Sequence, residues 1–421
     1  MTPFQADPHW VAAQDTADPL ATLRDSFLLP LGADGTPLAY FSGHSLGPQP
    51  KAVRENVGEV LDDWAHFGVE GHFRGQHPWL PYHELLTDST ARLVGALPSE
   101  VVVMNTLSVN LHLLMCSFYR PTPQRFRIIV EAGAFPSDQY AVASQAAWHG
   151  YDPAQAVVAL APRDGEPHLR DADILEAIAR LGPSTALIVV GNCNYLTGQA
   201  FDMPAITAAG HAQGCIVGFD LAHGAGNLDC QLHSSGADFA VWCNYKYLNA
   251  GPGGLGGAFV HERHHRAQLP RLSGWWGHDK ATRFEMGPHF VPIAGAEAWQ
   301  LSNPPILQLA ALRASMALFD DAGISRLRGK SDALTAYLLW WIDQLPAGSV
   351  QLLTPRTPNR RGAMLTVRIA KGAEATVGAL LARGISVDFR RPDIVRLTPA
   401  PLYTRWADVA RVGRALGEVL P

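Results

Sequence analysis

Between about residue 100 and residue 260, short apolar runs alternate with segments of helical periodicity. Val101-Val102-Val103-Met104, Arg127-Ile128-Ile129-Val130, residues 186–190, 215–219 and 239–242, and Gly257-Ala258-Phe259-Val260 are each a few residues long and almost continuously apolar. A strand apolar on both sides must be covered on both sides. Helices expected at 108–119, 139–148 and 204–213 separate several of these runs, so the pattern predicts an α/β fold with a mainly parallel sheet flanked by helices. Upstream, Pro19 and an Asp18 cap predict a short helix over 18–27, and Val53, Val57, Val60, Leu61 and Trp64 predict a long one over 48–67. After Leu307 the texture changes to helices at 307–319 and 330–345 and strands at 364–369, 385–388 and 394–397. The chain is therefore expected to divide into an N-terminal segment (1–60) that joins a smaller domain, a large domain (61–306), and a C-terminal small α+β domain (307–421).

Composition excludes several function classes. The 421 residues carry a net charge of −5, which argues against a nucleic-acid partner. The five cysteines show no C-x-x-C spacing and predict reduced thiols in a cytoplasmic protein. The start, Met1-Thr2-Pro3-Phe4-Gln5-Ala6-Asp7, has no basic or apolar leader, so no signal peptide is expected. The most apolar stretch, near 337–342, is far shorter than the ~20 residues of a membrane span.

Two strand ends carry chemistry. Asp220 follows the run 215–219, and Lys246, in Asn244-Tyr245-Lys246-Tyr247, lies just past the next run. Ligands of open α/β sheets bind at that edge. A lysine that can form a Schiff base with an aldehyde, beside a carboxylate that can hold a proton on a pyridine nitrogen, is what pyridoxal 5'-phosphate (PLP) chemistry needs. Alone, Asp220 would be read as a turn former and Lys246 as a loop lysine; together they point to the cofactor. His223, in Asp220-Leu221-Ala222-His223, is placed to meet a ring, or else is a satisfied buried histidine. Thr106-Leu107-Ser108-Val109-Asn110 follows a strand and opens a helix, a ready anion site for a phosphate. Phe135 and Asp138, in Gly133-Ala134-Phe135-Pro136-Ser137-Asp138, follow another strand end, where a ring could stack and a carboxylate could reach the cofactor.

Two motifs do not fit their usual chemistry. Gly251-Pro252-Gly253-Gly254-Leu255-Gly256 matches G-x-G-x-x-G but leads into a strand rather than a helix, so no dinucleotide site is expected. His261-Glu262-Arg263-His264-His265 matches H-E-x-x-H but follows a strand directly and has no evident third ligand. No metal site is expected.

Several blocks in order along nearly the whole chain resemble the kynureninase family. They include Phe41-Ser42-Gly43-His44-Ser45-Leu46-Gly47, Asn105 to His112, Asn194-Tyr195-Leu196-Thr197-Gly198-Gln199, Asp220 to Asn227, Trp242 to Asn249, Ser273-Gly274-Trp275-Trp276-Gly277-His278, Ser302-Asn303-Pro304-Pro305-Ile306, and Arg396 to Tyr403. The resemblance implies PLP-dependent transferase fold type I, with a mainly parallel seven-stranded sheet. It implies hydrolytic Cβ–Cγ cleavage of L-kynurenine or 3-hydroxy-L-kynurenine to anthranilate or 3-hydroxyanthranilate plus L-alanine, in tryptophan catabolism or NAD synthesis. Lys246 would be the Schiff-base lysine, Asp220 the partner of the pyridine nitrogen, and Tyr245 a phosphate ligand and proton donor. Leu107 and Ser108 would hold the phosphate, and Phe135, Asp138 and His223 would surround the ring. Trp275 and Asn303 would reach in from the second subunit of a homodimer. Arg396 would clamp the substrate α-carboxylate, and Ser45, His72 and Asn303 would line the substrate pocket. His44, Ser108 and Trp276 depart from the family's usual residues; Ser108 keeps the hydroxyl of the usual threonine, and His44 and Trp276 bear on ring preference rather than reaction type. The alternatives on the same residues are another fold-type-I PLP enzyme, such as an aminotransferase or desulfurase, or a non-catalytic PLP-binding protein.

Overall fold

The computed structural model describes residues 4–420; the first three residues of the start read above lie outside them. Seven strands form the main sheet, in the order Val101–Met104, Gly256–Val260, Phe239–Cys243, Ile216–Asp220, Thr185–Gly191, Arg127–Glu131 and Val157–Leu160. Five run parallel as neighbours; Gly256–Val260 is antiparallel to both strands beside it. The loop between Cys243 and Gly256 has no crossover helix, so the chain can only return antiparallel. Phe239–Cys243 and Val101–Met104 are buried at every position, as continuous apolar runs require.

Each face of the sheet has its own core. On one, Ile129, Ile188, Val217 and Phe259 pack with Leu309, Leu312, Met316 and Phe319 of the helix Ile306–Ala322. On the other, Val102, Ile128 and Val241 pack with Leu111, Leu114 and Phe118 of the helix Leu107–Phe118, and with Trp299. A third core lies in the tail. There Leu334, Leu338, Val367, Val395, Val409 and Leu416 enclose Val11, Ala39 and Phe41 from the N-terminal segment. Its sheet has four antiparallel strands, ordered Val350–Leu352, Leu365–Ile369, Ile394–Leu397 and Asp388–Arg390.

Several elements depart from the sequence expectations. The first helix is Pro8–Ala17, capped by the Asp7 side chain, while the expected helix at 18–27 is reduced to a 3-10 turn at Ala21–Ser26. Asp18 instead pairs with Lys330 at 2.7 Å. The long helix begins at Val53, because Gln49–Pro50 is drawn into a strand against Phe27–Leu28. The edge strand Val157–Leu160 and the helices Asp171–Leu181, Ala373–Ala382 and Trp406–Val419 were not anticipated. The strand expected at 385–388 divides: Ile385–Ser386 pairs with Ala39–Tyr40, and Asp388–Arg390 joins the tail sheet. That division sets Asp388 directly across from Arg396. No disulfide occurs among the described cysteines, and no described helix is long and apolar enough to cross a membrane.

Candidate active site

A cavity of about 180 Å³ opens at the carboxyl edge of the main sheet, where Glu131, Gly191 and Asp220 end three adjacent strands. Lys246 projects into it from the loop after Phe239–Cys243, its Nζ 5.7 Å from the centre of the Phe135 ring and 6.0 Å from that of Tyr245. Leu107 and Ser108 line it from the first turn of the helix Leu107–Phe118. Thr106, the N-cap, makes no side-chain hydrogen bond to that turn, so its N–H groups stay open to an anion.

The floor of the cavity is acidic. Asp138 and Asp220 are both buried and hydrogen-bond to each other. Burial pushes Asp138 well above the ordinary carboxylate range, and the charges of Asp220 and Glu131 push it further. Asp220 is also raised by burial, but its hydrogen bonds from Asp138 and the Ala222 N–H (2.6 Å) and the charge of Lys246 oppose this. Asp138 is thus the more strongly raised of the two, which favours Asp220 as the acceptor between them. His223 is buried and held neutral, by desolvation first and then by Lys246; its Nδ1 has no partner in the protein. Burial, together with Cys243, raises the Tyr245 hydroxyl above its ordinary value, so the side chain is a neutral phenol.

These features fit PLP. An orphaned imidazole nitrogen, a buried carboxylate at a strand end, a lysine among aromatic rings and an uncapped helix start match a ring, a ring nitrogen, an aldehyde and a phosphate respectively.

Ser45 and Arg396 do not line this cavity, but meet it through Tyr195, which does. Arg396 donates from Nη1 to the Tyr195 carbonyl (2.6 Å), from Nε to Asp388 (2.8 Å) and from Nη2 to Ser45 Oγ (3.2 Å). Ser45 Oγ in turn donates to Asp388 at 2.9 Å, and Arg390 pairs with the same carboxylate. Burial lowers the Arg396 guanidinium, an effect Asp388 offsets.

Three of the expected site residues lie elsewhere in this chain. Trp275 is partly exposed and donates to the Arg283 carbonyl, and its ring meets Phe284 at 5.5 Å. His72 packs edge-on against Trp79, and its neighbour Phe73 lies 6.4 Å from Phe284. Asn303 is exposed. His72 and Trp275 thus belong to one aromatic patch, apart from the Lys246 cavity. The residues that sequence reasoning passed over are Glu131, Tyr195 and Asp388. Only Tyr195 had a local signal, as part of Asn194-Tyr195-Leu196-Thr197.

The H-E-x-x-H run does not form the long helix that would turn its first and last histidines to one metal, although His261 lies with Glu100 and His233 in a group whose ligand atoms are all within 4.8 Å of one another. It forms a 3-10 turn at Glu262–His264, and His265 bonds the Val260 carbonyl. Both Glu100 oxygens already accept backbone N–H groups, from Leu97 and Glu262. The glycine run Gly251–Gly256 leads into a strand, as its context predicted.

A mainly parallel seven-stranded sheet with the lysine and acid at its carboxyl edge, and an α+β tail bringing in an arginine, defines the fold-type-I class of PLP-dependent enzymes. Solved structures agree on the fold: a C-DES mutant with glycine covalently linked to the PLP cofactor superposes with TM-score 0.75 at 17% identity, covering 91% of this chain and 97% of that one. The cysteine desulfurase of Thermococcus onnurineus NA1 superposes with TM-score 0.74 at 18% identity, covering 100% and 99%. Within that class the chain belongs to the kynureninase family. The kynureninase of Myxococcus xanthus is 60% identical over 98% of this chain and 97% of that protein, and the kynureninase of Koribacter versatilis is 56% identical over 97% and 96%. The family profile of the kynureninase C-terminal domain matches residues 327–416.

Proposed function

We propose that this chain is a PLP-dependent hydrolase that cleaves the Cβ–Cγ bond of L-kynurenine, or its 3-hydroxy form, consuming one water and releasing anthranilate, or 3-hydroxyanthranilate, and L-alanine. The observation that carries this reading is the convergence of Lys246, the Asp138–Asp220 pair and the Tyr195–Arg396 contact on one cavity. When bound, PLP supplies an aldehyde that takes up amines and a ring that accepts electrons. Asp220 would hold a proton on the ring nitrogen, with Asp138 fixing the orientation of that carboxylate. Phe135 and His223 would pack on the ring, and Leu107, Ser108 and Tyr245 would hold the phosphate. Arg396 and Ser45 bind the α-carboxylate, so that the substrate Cα faces the Lys246 amine, which takes its proton. The Tyr245 hydroxyl, a neutral phenol, returns a proton at Cβ.

A homodimer completes the site: the exposed Trp275 and Asn303, with the half-buried His72, supply the partner's aryl pocket. We read the smaller domain as the N-terminal segment 1–60 with the tail 307–421, around the large domain 61–306. The shared core of Val11, Ala39 and Phe41 with Leu334 to Leu420 supports the join. The setting is cytoplasmic, in tryptophan catabolism or NAD synthesis. A desulfurase is disfavoured because no cysteine follows Cys243 to act as nucleophile in the tail. The test is to incubate PLP-loaded protein with L-kynurenine and no added keto acid. Anthranilate and alanine in equal amounts are expected; product only when a keto acid is added would mark an aminotransferase, and binding without product a non-catalytic protein.

A further inference from the structure

Glu131 is the one buried acid of the cavity that the chemistry above leaves without a task. It ends the strand Arg127–Glu131, is 6% exposed, and lines the cavity beside Gly191 and Asp220. A Cβ at residue 191 would stand 2.9 Å from Glu131 Oε1, so any side chain there would displace the carboxyl from its present place. Glu131 Oε2 accepts a hydrogen bond from Asn194 Nδ2 at 3.2 Å. Asn194 is itself buried, and its Oδ1 accepts three further bonds, from the Leu196 N–H (3.0 Å), the Thr197 N–H (2.9 Å) and Thr197 Oγ1 (3.1 Å).

An asparagine amide can be turned either way round, and its neighbours decide which. An acceptor at Glu131 selects the orientation that sends Nδ2 to the carboxyl and leaves Oδ1 for the three loop donors. Turned over, Nδ2 would face two N–H groups and the loop would lose its anchor. That loop carries Tyr195, whose carbonyl accepts from Arg396 and whose ring meets Phe135 edge-on at 5.2 Å. Tyr195 thus joins the ring-stacking side of the cavity to the carboxylate clamp.

We propose that Glu131 is a positioning residue for substrate binding: through Asn194 it sets the loop 194–197, and through the Tyr195 carbonyl it aims the Arg396 guanidinium. This rests on the kynureninase reading above and deepens it, giving the clamp a second support besides Asp388, reached from the cofactor side.

The experiment uses the PLP-loaded enzyme and compares Glu131→Ala, Glu131→Gln, Asn194→Ala and the double alanine variant. For Glu131→Ala, KM for L-kynurenine should rise about tenfold or more with kcat within about threefold, the signature of a lost binding alignment. PLP affinity, the visible absorption of the bound cofactor and the melting temperature should stay at wild-type values. Glu131→Gln keeps an acceptor for Asn194 and should recover most of the loss. The double variant should be no worse than Asn194→Ala alone, because the two residues act in series. An unchanged KM in Glu131→Ala, a loss equal in the glutamine variant, or a fall in PLP affinity that tracks the kinetic loss would overturn the proposal. Titrating each variant with L-kynurenine and following the cofactor absorption reads the same alignment without turnover. Failure of the reaction assignment in wild-type protein is thereby distinguished from failure of the Glu131 proposal.

Discussion

At the scale of single residues, Arg396 carries its charge to a place with only 1% side-chain exposure, and Asp388, directly across from it in the tail sheet, compensates that charge. A buried guanidinium deprived of its carboxylate is costly, about 3–5 kcal/mol when one partner of such a pair is removed. Asp388→Asn should therefore raise KM for L-kynurenine by at least about tenfold, with part of the loss appearing as a lower melting temperature. Steady-state kinetics with thermal unfolding checks both. Lys246→Ala should still bind PLP while forming no anthranilate, and borohydride should then fix no cofactor to the chain; retained turnover would falsify its assignment. Lys246 and Asp220 were legible in the sequence because each sits at the end of an apolar run that announces its own strand. Glu131 and Asp388 were not, because their meaning comes from partners at Asn194 and Arg396. Glu131 and Asp388 each read locally as no more than the polar end of a strand.

At the scale of elements, the segment Gly43-His44-Ser45-Leu46-Gly47 wedges between the tail and the lysine loop. The Gly47 N–H donates to the Tyr245 carbonyl at 2.9 Å, and a Cβ at Gly47 would stand 2.5 Å from the Lys246 carbonyl and 2.1 Å from Asn249 Oδ1. Even one methyl group must push this loop aside. Gly47→Ala should destabilise the protein by about 1–3 kcal/mol and cut turnover as Lys246 shifts, visible as a lower urea midpoint and a lower kcat. The elements the sequence concealed share a cause. Val157–Leu160 is a short edge strand whose first three residues are not fully buried, so it lacks the dense apolar signature of its neighbours. Pro8–Ala17 buries only Val11, so no apolar stripe marks it. The strand expected at 385–388 was sound as extended chain, but only the sheet partners decide that it divides, with Ile385 going to Ala39 and Asp388 to Arg396.

At the scale of the whole molecule, distant segments are tied by ion pairs as well as by apolar cores. Glu297 joins His83 (3.3 Å) and Lys280 (2.8 Å). Burial raises its pKa, but the hydrogen bonds from His83 and Lys280 outweigh that and lower it from 4.5 to about 2. An acid held below its unfolded value stabilises the fold above that value and ceases to do so as the pH falls through the folded one. This contribution, on the order of 2 kcal/mol, is thus fully present above pH 4.5 and should drain away toward pH 2. Urea midpoints measured from pH 6 to pH 3 should fall for the wild type and fall less for Glu297→Gln.

The amine that takes up the coenzyme and the guanidinium that grips the amino acid stand on separate sheets, each with a core of its own. Pigment and grip are therefore separable properties. A molecule nicked in the connection between the two sheets, or loosened in its tail alone, would stay yellow while forgetting how to hold its substrate, so colour by itself is a poor certificate of a working preparation.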